Sequence, residues 1–228
     1  MICGKEEYAE KWNNSANHLF DEGVYEWSSE PLNKYNKVLE IGCGTGQSTF
    51  VLVAMDHTVF SIDRNSLCIE KCKKYIESNN FSVEEITCSD SISYRNLDVT
   101  LLNLDLFSEK ARLLNYLNPD VIILWNPGGW DANQINYADA EKIQWRMIDT
   151  VIEFAESKNI PFSILNRFAK PNNTQEFWQD VAKSTSYKMV KRDEKKVDML
   201  GVEGVPLITS EGKIDTIIYS YALFEKGD

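Results

Sequence analysis

The stretch Lys37–Gly46, K-V-L-E-I-G-C-G-T-G, decides the fold of this chain. Its first half is β-branched and aliphatic apart from Glu40, as expected of a strand buried on both faces of a parallel sheet. Glycines then stand at alternate positions, Gly42, Gly44 and Gly46, and they allow a sharp turn in which bare main chain approaches a ligand. The residues that follow predict a helix, whose free N–H groups point into the same space. The stretch therefore predicts a strand, a ligand-binding turn and a helix.

The spacing of the glycines separates two classes of cofactor. The dinucleotide fingerprint G-x-G-x-x-G needs its third glycine at position 47, which is occupied by Gln47. The pattern found here, acidic-x-Gly-x-Gly-x-Gly, resembles the first motif of the class I S-adenosylmethionine-dependent methyltransferases. A tight turn without a ligand is the alternative interpretation of the same residues.

The resemblance implies S-adenosyl-L-methionine as the cofactor. In that family the glycine turn lies against the amino-acid end of the cofactor, and the acidic residue, here Glu40, helps to hold its ammonium group, commonly through water. Asp63 follows the second predicted strand, Thr58 to Ile62, and matches the acid that binds the ribose hydroxyls. The cofactor-binding residues implied in this way are Glu40, Gly42, Cys43, Gly44, Gly46, Asp63, Arg64, Asp105, Leu106 and Asn126.

Two runs compete for the third strand, after which the family places an adenine-contacting acid. Val83 to Thr87 leads to Asp90, whereas Val99 to Leu104 leads to Asp105. The second run is more apolar, and a helix from Ser108 to Leu117 fits between it and the next strand. We therefore expect Asp105 to contact the adenine. The long connection before this strand is then either an insertion or a segment with a short extra strand.

The most apolar run, Asp120 to Trp125, predicts the central strand of the sheet. It leads into Asn126-Pro127-Gly128-Gly129-Trp130, which should face the same crevice as the glycine turn, because ligands bind beyond the carboxyl ends of central strands. The segment resembles the Asn-Pro-Pro-aromatic motif of methyltransferases that act on exocyclic or amide nitrogen. Gly128 replaces the second proline, so a general substrate loop is the alternative.

We expect Asn126 to be a catalytic residue within reach of the transferred methyl group. Pro127 should hold it in an extended conformation, and its amide would orient the acceptor between the flat surfaces of Trp125 and Trp130. Pro127 and Trp130 are accordingly predicted substrate-binding residues. The alternative is that Asn126 only caps the strand end through local hydrogen bonds.

The residues before the first strand predict a helix from Lys5 to Phe20 with an aromatic stripe. In many members of the resembled family this segment is a lid over the cofactor and substrate, so Tyr8, Trp12 and Tyr25 are predicted substrate-binding residues. The alternative is that these rings only fasten the helix to the sheet. His18 in this segment is a candidate general base, or a surface or packing residue.

The rest of the pattern completes an α/β fold, a Rossmann-like, doubly wound, mostly parallel seven-stranded sheet with an antiparallel C-terminal strand pair and an N-terminal helical lid. We expect a single methyltransferase domain over residues 1–228, with the lid at 1–36 and the Rossmann-like core at 37–228. The remaining predicted elements are a helix from Ala138 to Lys158, a strand from Phe162 to Leu165, a helix from Thr174 to Ser184 with Thr174 as its N-cap, and strands from Tyr187 to Val190 and from Ile214 to Phe224.

Net charge, cysteine content and the lack of a long apolar run limit the kinds of partner that we expect. The formal net charge is −11 and the calculated pI is near 4.8, so phosphate backbones are repelled and nucleic acid is a disfavoured, though open, partner. Five cysteines are an odd number without paired C-x-x-C spacing, so neither disulfides nor a metal site is expected. With no long apolar run and no leader, we expect a cytoplasmic protein without a membrane partner.

These features favour an enzyme that transfers the methyl group of S-adenosylmethionine to a small-molecule or peptide acceptor by in-line displacement. The protein would mainly align the reacting atoms. One alternative is a non-catalytic S-adenosylmethionine-binding or regulatory protein. Another is an amino-nitrogen methyltransferase of nucleic acid or protein that uses Asn126 and Pro127. Gln47 argues against a nucleotide-dependent oxidoreductase.

Overall fold

A computed structural model describes residues 4–86, 97–126, 137–203, 207–209 and 212–227 of the chain. In these ranges the strands are β1 Lys37–Ile41, β2 Thr58–Asp63, β3 Val83–Ile86, β4 Val99–Asn103, β5 Val121–Trp125, β6 Phe162–Phe168, β7 Lys188–Asp198, β8 Leu207–Thr209, β9 Gly212–Ile214 and β10 Thr216–Glu225. The α-helices are α1 Lys5–Asp21, α2 Val24–Ser29, α3 Gln47–Ala54, α4 Ser66–Ser78, α5 Tyr137–Lys158 and α6 Pro171–Lys183. Within the same ranges, 3-10 helices cover Glu30–Leu32 and Glu109–Tyr116.

Eight strands form one sheet in the order β3-β4-β2-β1-β5-β6-β10-β7. The pairs from β3 to β6 are parallel, whereas β10 runs antiparallel to β6 and to β7. The chain builds outward from β1 in one direction and then from β5 in the other, so the order reverses between these two strands. Because parallel strands end at the same edge, the turns after β1 and β5 lie side by side.

Helices cover both faces of the sheet, and each face has its own apolar core. On one face α1 to α4 pack against residues such as Val38, Leu101 and Ile123, and on the other α5 and α6 pack against residues such as Leu39 and Leu124. Side chains of successive residues in one strand thus pack into opposite cores, because they point to opposite faces of the sheet. None of the described helices is long and apolar enough to cross a membrane.

The mostly parallel sheet and its antiparallel C-terminal pair are confirmed, with one strand more than the seven expected. Both candidates for the third strand are strands, and β4 lies between β2 and the short edge strand β3. Asp105 therefore follows the inner of the two strands, and the long connection before β4 does contain a short extra strand. Asp90 lies outside the described residues.

Two helix expectations need correction. The α-helix expected from Ser108 to Leu117 is a 3-10 helix over Glu109–Tyr116, and at its ends the N–H groups of Ala111 and Leu117 bond to carbonyls three residues earlier, as the tighter turn requires. The helix expected from Thr174 begins at Pro171 instead, since proline suits the first helical position. Thr174 is not its N-cap, and its hydroxyl donates to the carbonyl of Pro171 within the first turn.

The N-terminal helix α1 is fastened over the glycine turn by a buried amide. Gln47, the first residue of α3, is 1% exposed and donates to the side-chain oxygens of Asn13 at 3.3 Å and Asn17 at 2.7 Å. Its own amide oxygen accepts from the Thr45 hydroxyl at 2.7 Å. The two asparagines are four residues apart and so lie on one face of α1. A single side chain at the start of α3 therefore holds the helix that covers it.

Replacing this anchor should loosen α1 and leave the sheet intact. Gln47→Ala removes three hydrogen bonds and leaves the buried Thr45 hydroxyl without its partner, whereas the exposed Asn17 can bond to water, so we expect the free energy of unfolding to fall by about 1–2 kcal/mol. Faster amide hydrogen exchange should be confined to Lys5–Asp21 and its neighbours. The matched change Gln179→Ala, at an exposed position of α6, should alter neither quantity. Equal exchange in wild type and Gln47→Ala would show that α1 is held by its apolar contacts alone.

Candidate functional site

A cavity of about 110 Å³ lies at the carboxyl edge of the sheet, where the strand order reverses. Ligands of open α/β sheets bind at such a place. Five neighbouring strands contribute to its wall, and in sheet order the residues are Asp105 beyond β4, Asp63 of β2, Gly42 beyond β1, Asn126 beyond β5 and Arg167 of β6. The cavity therefore extends from the predicted cofactor-binding acids to the predicted acceptor-binding residue.

The glycine turn is shaped by close approaches of neighbouring helices. Gly42, Gly44 and Gly46 have φ angles of 85°, 52° and 102°. A Cβ on Gly44 would overlap the indole of Trp12, and a Cβ on Gly46 would lie 2.9 Å from the Cα of Cys72. Of the three glycines, Gly42 lines the cavity, and the other two permit α1 and α4 to pack closely. Cofactor contacts of Gly44 and Gly46 stay predictions.

Cys43 lies in the same turn, with its side chain in the core. It is 2% exposed, and the neighbouring Cys72 thiol, followed by burial, raises the pKa of the Cys43 thiol well above the ordinary value. Cys43 does not belong to the cavity wall, so a contact with the cofactor stays a prediction here too. Among the described residues, no cluster of three or more histidine, cysteine or acidic side chains could hold a metal ion.

Glu40 is fully buried beneath the turn and is held by hydroxyl groups. Its carboxylate accepts from Ser48 at 2.5 Å, Thr49 at 2.6 Å and Ser61 at 2.6 Å. Burial raises the pKa of Glu40 although these hydroxyls oppose the shift, and the Trp125 indole N–H, which lies near without hydrogen-bond geometry, opposes it further. Glu40 does not line the cavity. Its observed contacts join β1, β2 and α3, and contact with a cofactor ammonium group stays a prediction.

Asp63 connects the glycine turn to the end of β2 and borders the cavity. Its Oδ2 accepts from the Gly44 N–H at 3.0 Å and its Oδ1 from the Asn65 N–H at 2.8 Å. Burial raises the pKa of Asp63 to about 6, although these N–H groups and the charge of Arg64 act in the opposite direction. Arg64 lies in the cavity wall beside it. The carboxylate is thus fixed in place and faces the space where the ribose is expected.

The turn after β4 gives the cavity an apolar end. Leu104, Leu106 and Phe107 line it together with Asp105, whose Oδ1 accepts from the Phe107 N–H at 2.9 Å. The guanidinium of Arg146 lies 4.0 Å from the centre of the Phe107 ring, an arrangement typical of a cation–π contact. A flat ring such as adenine suits apolar walls with an acid at their edge.

Some residues of the N-terminal helices line the cavity and others do not. Tyr8 and Trp12 line it, and burial, with a smaller effect of Asp63, raises the pKa of the Tyr8 hydroxyl so that it stays protonated. Tyr25 instead packs edge-on against Trp125 with ring centres 5.4 Å apart, and the His18 Nε2 lies 2.7 Å from the Asp198 carbonyl oxygen. Tyr25 and His18 thus lie outside the wall of the described cavity, and the substrate contact expected of Tyr25 and the catalytic role expected of His18 stay predictions.

Asn126 is the unusual residue of the site. It is 9% exposed and lines the cavity, yet neither its side-chain oxygen nor its nitrogen has a hydrogen-bond partner in the described part of the chain. Its φ angle is +40°, so the extended conformation expected before proline is wrong. The backbone N–H donates to the Leu165 carbonyl at 2.8 Å, which keeps Asn126 beside β6 while the chain leaves the sheet. Among the described residues, its side chain makes no hydrogen bond that would cap the strand. Pro127 and Trp130 lie outside the described residues.

Sequence reasoning missed part of the wall. Arg167 follows the expected end of the fifth strand, and Ile143 and Met147 come from the apolar face of α5. The signal for Arg167 was available, because β6 was expected beside β5 and its carboxyl end had to border the same crevice. For the α5 residues no signal exists, since periodicity separates the faces of a helix but does not tell which turn reaches a cavity.

Comparisons with known proteins agree on the fold. A family model described as methyltransferase domain matches residues 32–192, more than half of the chain. No curated protein matches the sequence. Among solved structures, a candidate RNA methyltransferase, PH1948 from Pyrococcus horikoshii, is 13% identical with a TM-score of 0.57 over 91% of this chain and 84% of that one.

Two further structures illustrate the range of similar proteins. The METTL16 methyltransferase domain is 13% identical with a TM-score of 0.55 over 91% of this chain and 82% of its own. Precorrin-6y C5,15-methyltransferase from Geobacter metallireducens is 13% identical with a TM-score of 0.51 over 87% of each chain. At such identities the likeness shows the fold, and the family match adds the activity and the methyl donor. The chain therefore belongs to the class I S-adenosylmethionine-dependent methyltransferases.

Proposed function

We propose that the protein transfers the methyl group of S-adenosylmethionine to a small-molecule or peptide acceptor, with Asn126 positioning the acceptor atom. The observation that carries this proposal is the buried amide of Asn126, which lines the cavity without a hydrogen-bond partner among the described residues. An unsatisfied buried amide costs about 1–3 kcal/mol. Such a cost is expected where a ligand supplies the missing partners.

The residues of the wall fit two parts of the cofactor, its ribose and its adenine. Asp63 would accept from the ribose hydroxyls, and Leu104, Leu106 and Phe107 would enclose the adenine, with Asp105 at its edge. The region that would hold the ribose and the adenine lies at the ends of β4, β2 and β1. When bound, the cofactor supplies a methyl group whose bond to the sulfonium sulfur breaks, with its electron pair going to sulfur, as a lone pair of the acceptor bonds to the methyl carbon.

The protein's own contribution is alignment and exclusion of water. Asn126 lies beyond the neighbouring strand β5, and its amide can both donate to and accept from an acceptor group, which fixes the direction of a lone pair. Tyr8 and Trp12 of α1 cover the cavity, and Ile143 and Met147 of α5 give it an apolar side. In this proposal α1 and α2 are the lid of one domain.

A second acceptor class is an amino group of a nucleic acid base. An orphaned amide followed by proline suits a planar amino group, and the fold is shared with a candidate RNA methyltransferase. The net charge of −11 opposes the approach of a phosphate backbone. We therefore rank this class second.

The decisive variant is Asn126→Gly. Glycine accepts a φ angle of +40° without strain and removes the unpartnered amide, so we expect the melting temperature to rise by about 2–4 °C. Affinity for S-adenosylhomocysteine, measured by calorimetry, should stay within about twofold. Methyl transfer from labelled S-adenosylmethionine into small amines, phenols and peptides should fall about a hundredfold.

A matched variant and a contrary outcome complete this test. Asn115→Ala, at an exposed position of the second 3-10 helix, should leave all three measurements unchanged. A fall in melting temperature and cofactor affinity together, with unchanged turnover per bound cofactor, would show that Asn126 is a structural residue.

The role of Asp63 predicts an acid-sensitive affinity for the cofactor product. Hydroxyl groups of the ribose donate to the ionised carboxylate, so binding favours ionisation, and the pKa of about 6 places the loss of affinity below that pH. We expect S-adenosylhomocysteine to bind about tenfold more weakly at about pH 5 than at about pH 7, as the ionised fraction falls. Asp63→Asn should bind weakly at both pH values, and Asp180→Asn, exposed on α6, should behave as wild type. Equal wild-type affinity at the two pH values would contradict the assignment.

A further inference from the structure

Arg167 is the basic residue at the acceptor end of the cavity. It belongs to β6 and lies one strand beyond Asn126, whose N–H donates to the Leu165 carbonyl of the same strand. Arg167 lines the cavity, and its charge reaches Tyr8 of α1 and Tyr219 of β10 closely enough to oppose the rise that burial causes in the pKa of each hydroxyl. Arg167 is paired with Tyr219 in the sheet, and Tyr219 and Leu165 belong to the core beneath α1, so Arg167 lies on the face of the sheet that α1 covers.

Strand spacing places the backbone of Arg167 nearer to Asn126 than to the glycine turn. Neighbouring strands lie about 4.8 Å apart, so the end of β6 is about 5 Å from the end of β5 and about 10 Å from the glycine turn after β1. A group held by Arg167 would thus be adjacent to whatever Asn126 holds.

We infer that the methyl acceptor is a small acid, with a carboxylate or phosphate monoester close to its nucleophilic atom and bound by Arg167. This inference rests on the proposed function and names its substrate class. A guanidinium presents five N–H donors in a planar fork that matches the oxygens of either group, so it can bind such a group besides its contacts within the protein. In a protein of net charge −11, a cation in a covered cavity also directs a small anion to one place.

The alternative acid is the cofactor's own carboxylate, and a pair of probes distinguishes the two. S-adenosylhomocysteine contains that carboxylate, whereas 5′-methylthioadenosine lacks the amino-acid end. Calorimetry with both probes is compared between wild type, Arg167→Gln and the control Arg192→Gln, which lies on the edge strand β7 and pairs with Glu194. We expect each variant to bind both probes within about twofold of wild type, which also shows that the variants are folded.

The anion itself is tested on the complex with S-adenosylhomocysteine. Inorganic phosphate or acetate at millimolar concentration replaces chloride at constant ionic strength, and the melting temperature is measured. We expect a rise of about 2 °C in wild type and in Arg192→Gln, and none in Arg167→Gln.

Each contrary result has a separate meaning. A wild type that fails to bind S-adenosylhomocysteine would overturn the proposed function, whereas a wild-type complex that binds it but ignores both anions would overturn this inference alone. A loss of more than about tenfold in S-adenosylhomocysteine affinity in Arg167→Gln, with unchanged 5′-methylthioadenosine affinity, would assign Arg167 to the cofactor and overturn the inference. Micromolar binding of a short single-stranded RNA to the complex, lost in Arg167→Gln, would overturn it in favour of nucleic acid.

Discussion

The buried carboxylate of Glu40 is the interaction on which the crevice depends. Taking an isolated carboxylate out of water costs several kcal/mol, and here hydroxyls of Ser48, Thr49 and Ser61 replace the lost water. Hydrogen bonds to a charged group contribute about 1.5–3 kcal/mol each, so the three hydroxyls can offset the cost of burial only when all donate. Since they come from α3 and β2 while Glu40 comes from β1, the arrangement is satisfied in one relative position of these elements. The Gly44 N–H then donates to Asp63 and transmits that position to the residue that faces the ribose space.

The sheet could be predicted because its strands are short apolar runs that end in polar residues, and the same reasoning placed Asp63 and Asn126 at the cavity. What could not be predicted depended on contacts between distant parts of the chain. Asn126 has a φ angle of +40° where a residue before proline is ordinarily extended, and its N–H bonds to Leu165 of a distant strand. The motif suggested a ligand contact for Glu40, but spacing along the chain does not show that Ser61 would meet it. Helical spacing likewise grouped His18 with Tyr8 and Trp12 without revealing that the later turns of α1 lie beyond the cavity.

A strained backbone and polar atoms without hydrogen-bond partners occur together at the Asn126 end of the site. Asp63 is held by two N–H donors, and Glu40 beneath the glycine turn is held by three hydroxyls, so the frame that would bind the cofactor is preorganised. Asn126, by contrast, has a left-handed backbone and a side chain without partners among the described residues. A cofactor shared by a whole family can be bound by a rigid, satisfied frame. An acceptor that differs from one enzyme to the next has to complete its own site, and an amide that is satisfied only when the acceptor is bound ties correct binding to correct alignment.

Gln47 stands where the dinucleotide fingerprint has its third glycine, and its contacts explain why the difference is informative. In dinucleotide-binding folds the third glycine lets the helix lie close to the strand. In this chain close packing at the turn is served by Gly46, whose missing side chain admits Cys72 of α4, one residue before the position that the fingerprint requires. Position 47 is thereby released for a side chain, and Gln47 uses it to bind Asn13 and Asn17 of α1. A covering helix excludes water from a displacement at carbon, and the glycine spacing therefore reflects how the site is closed as well as which cofactor it holds.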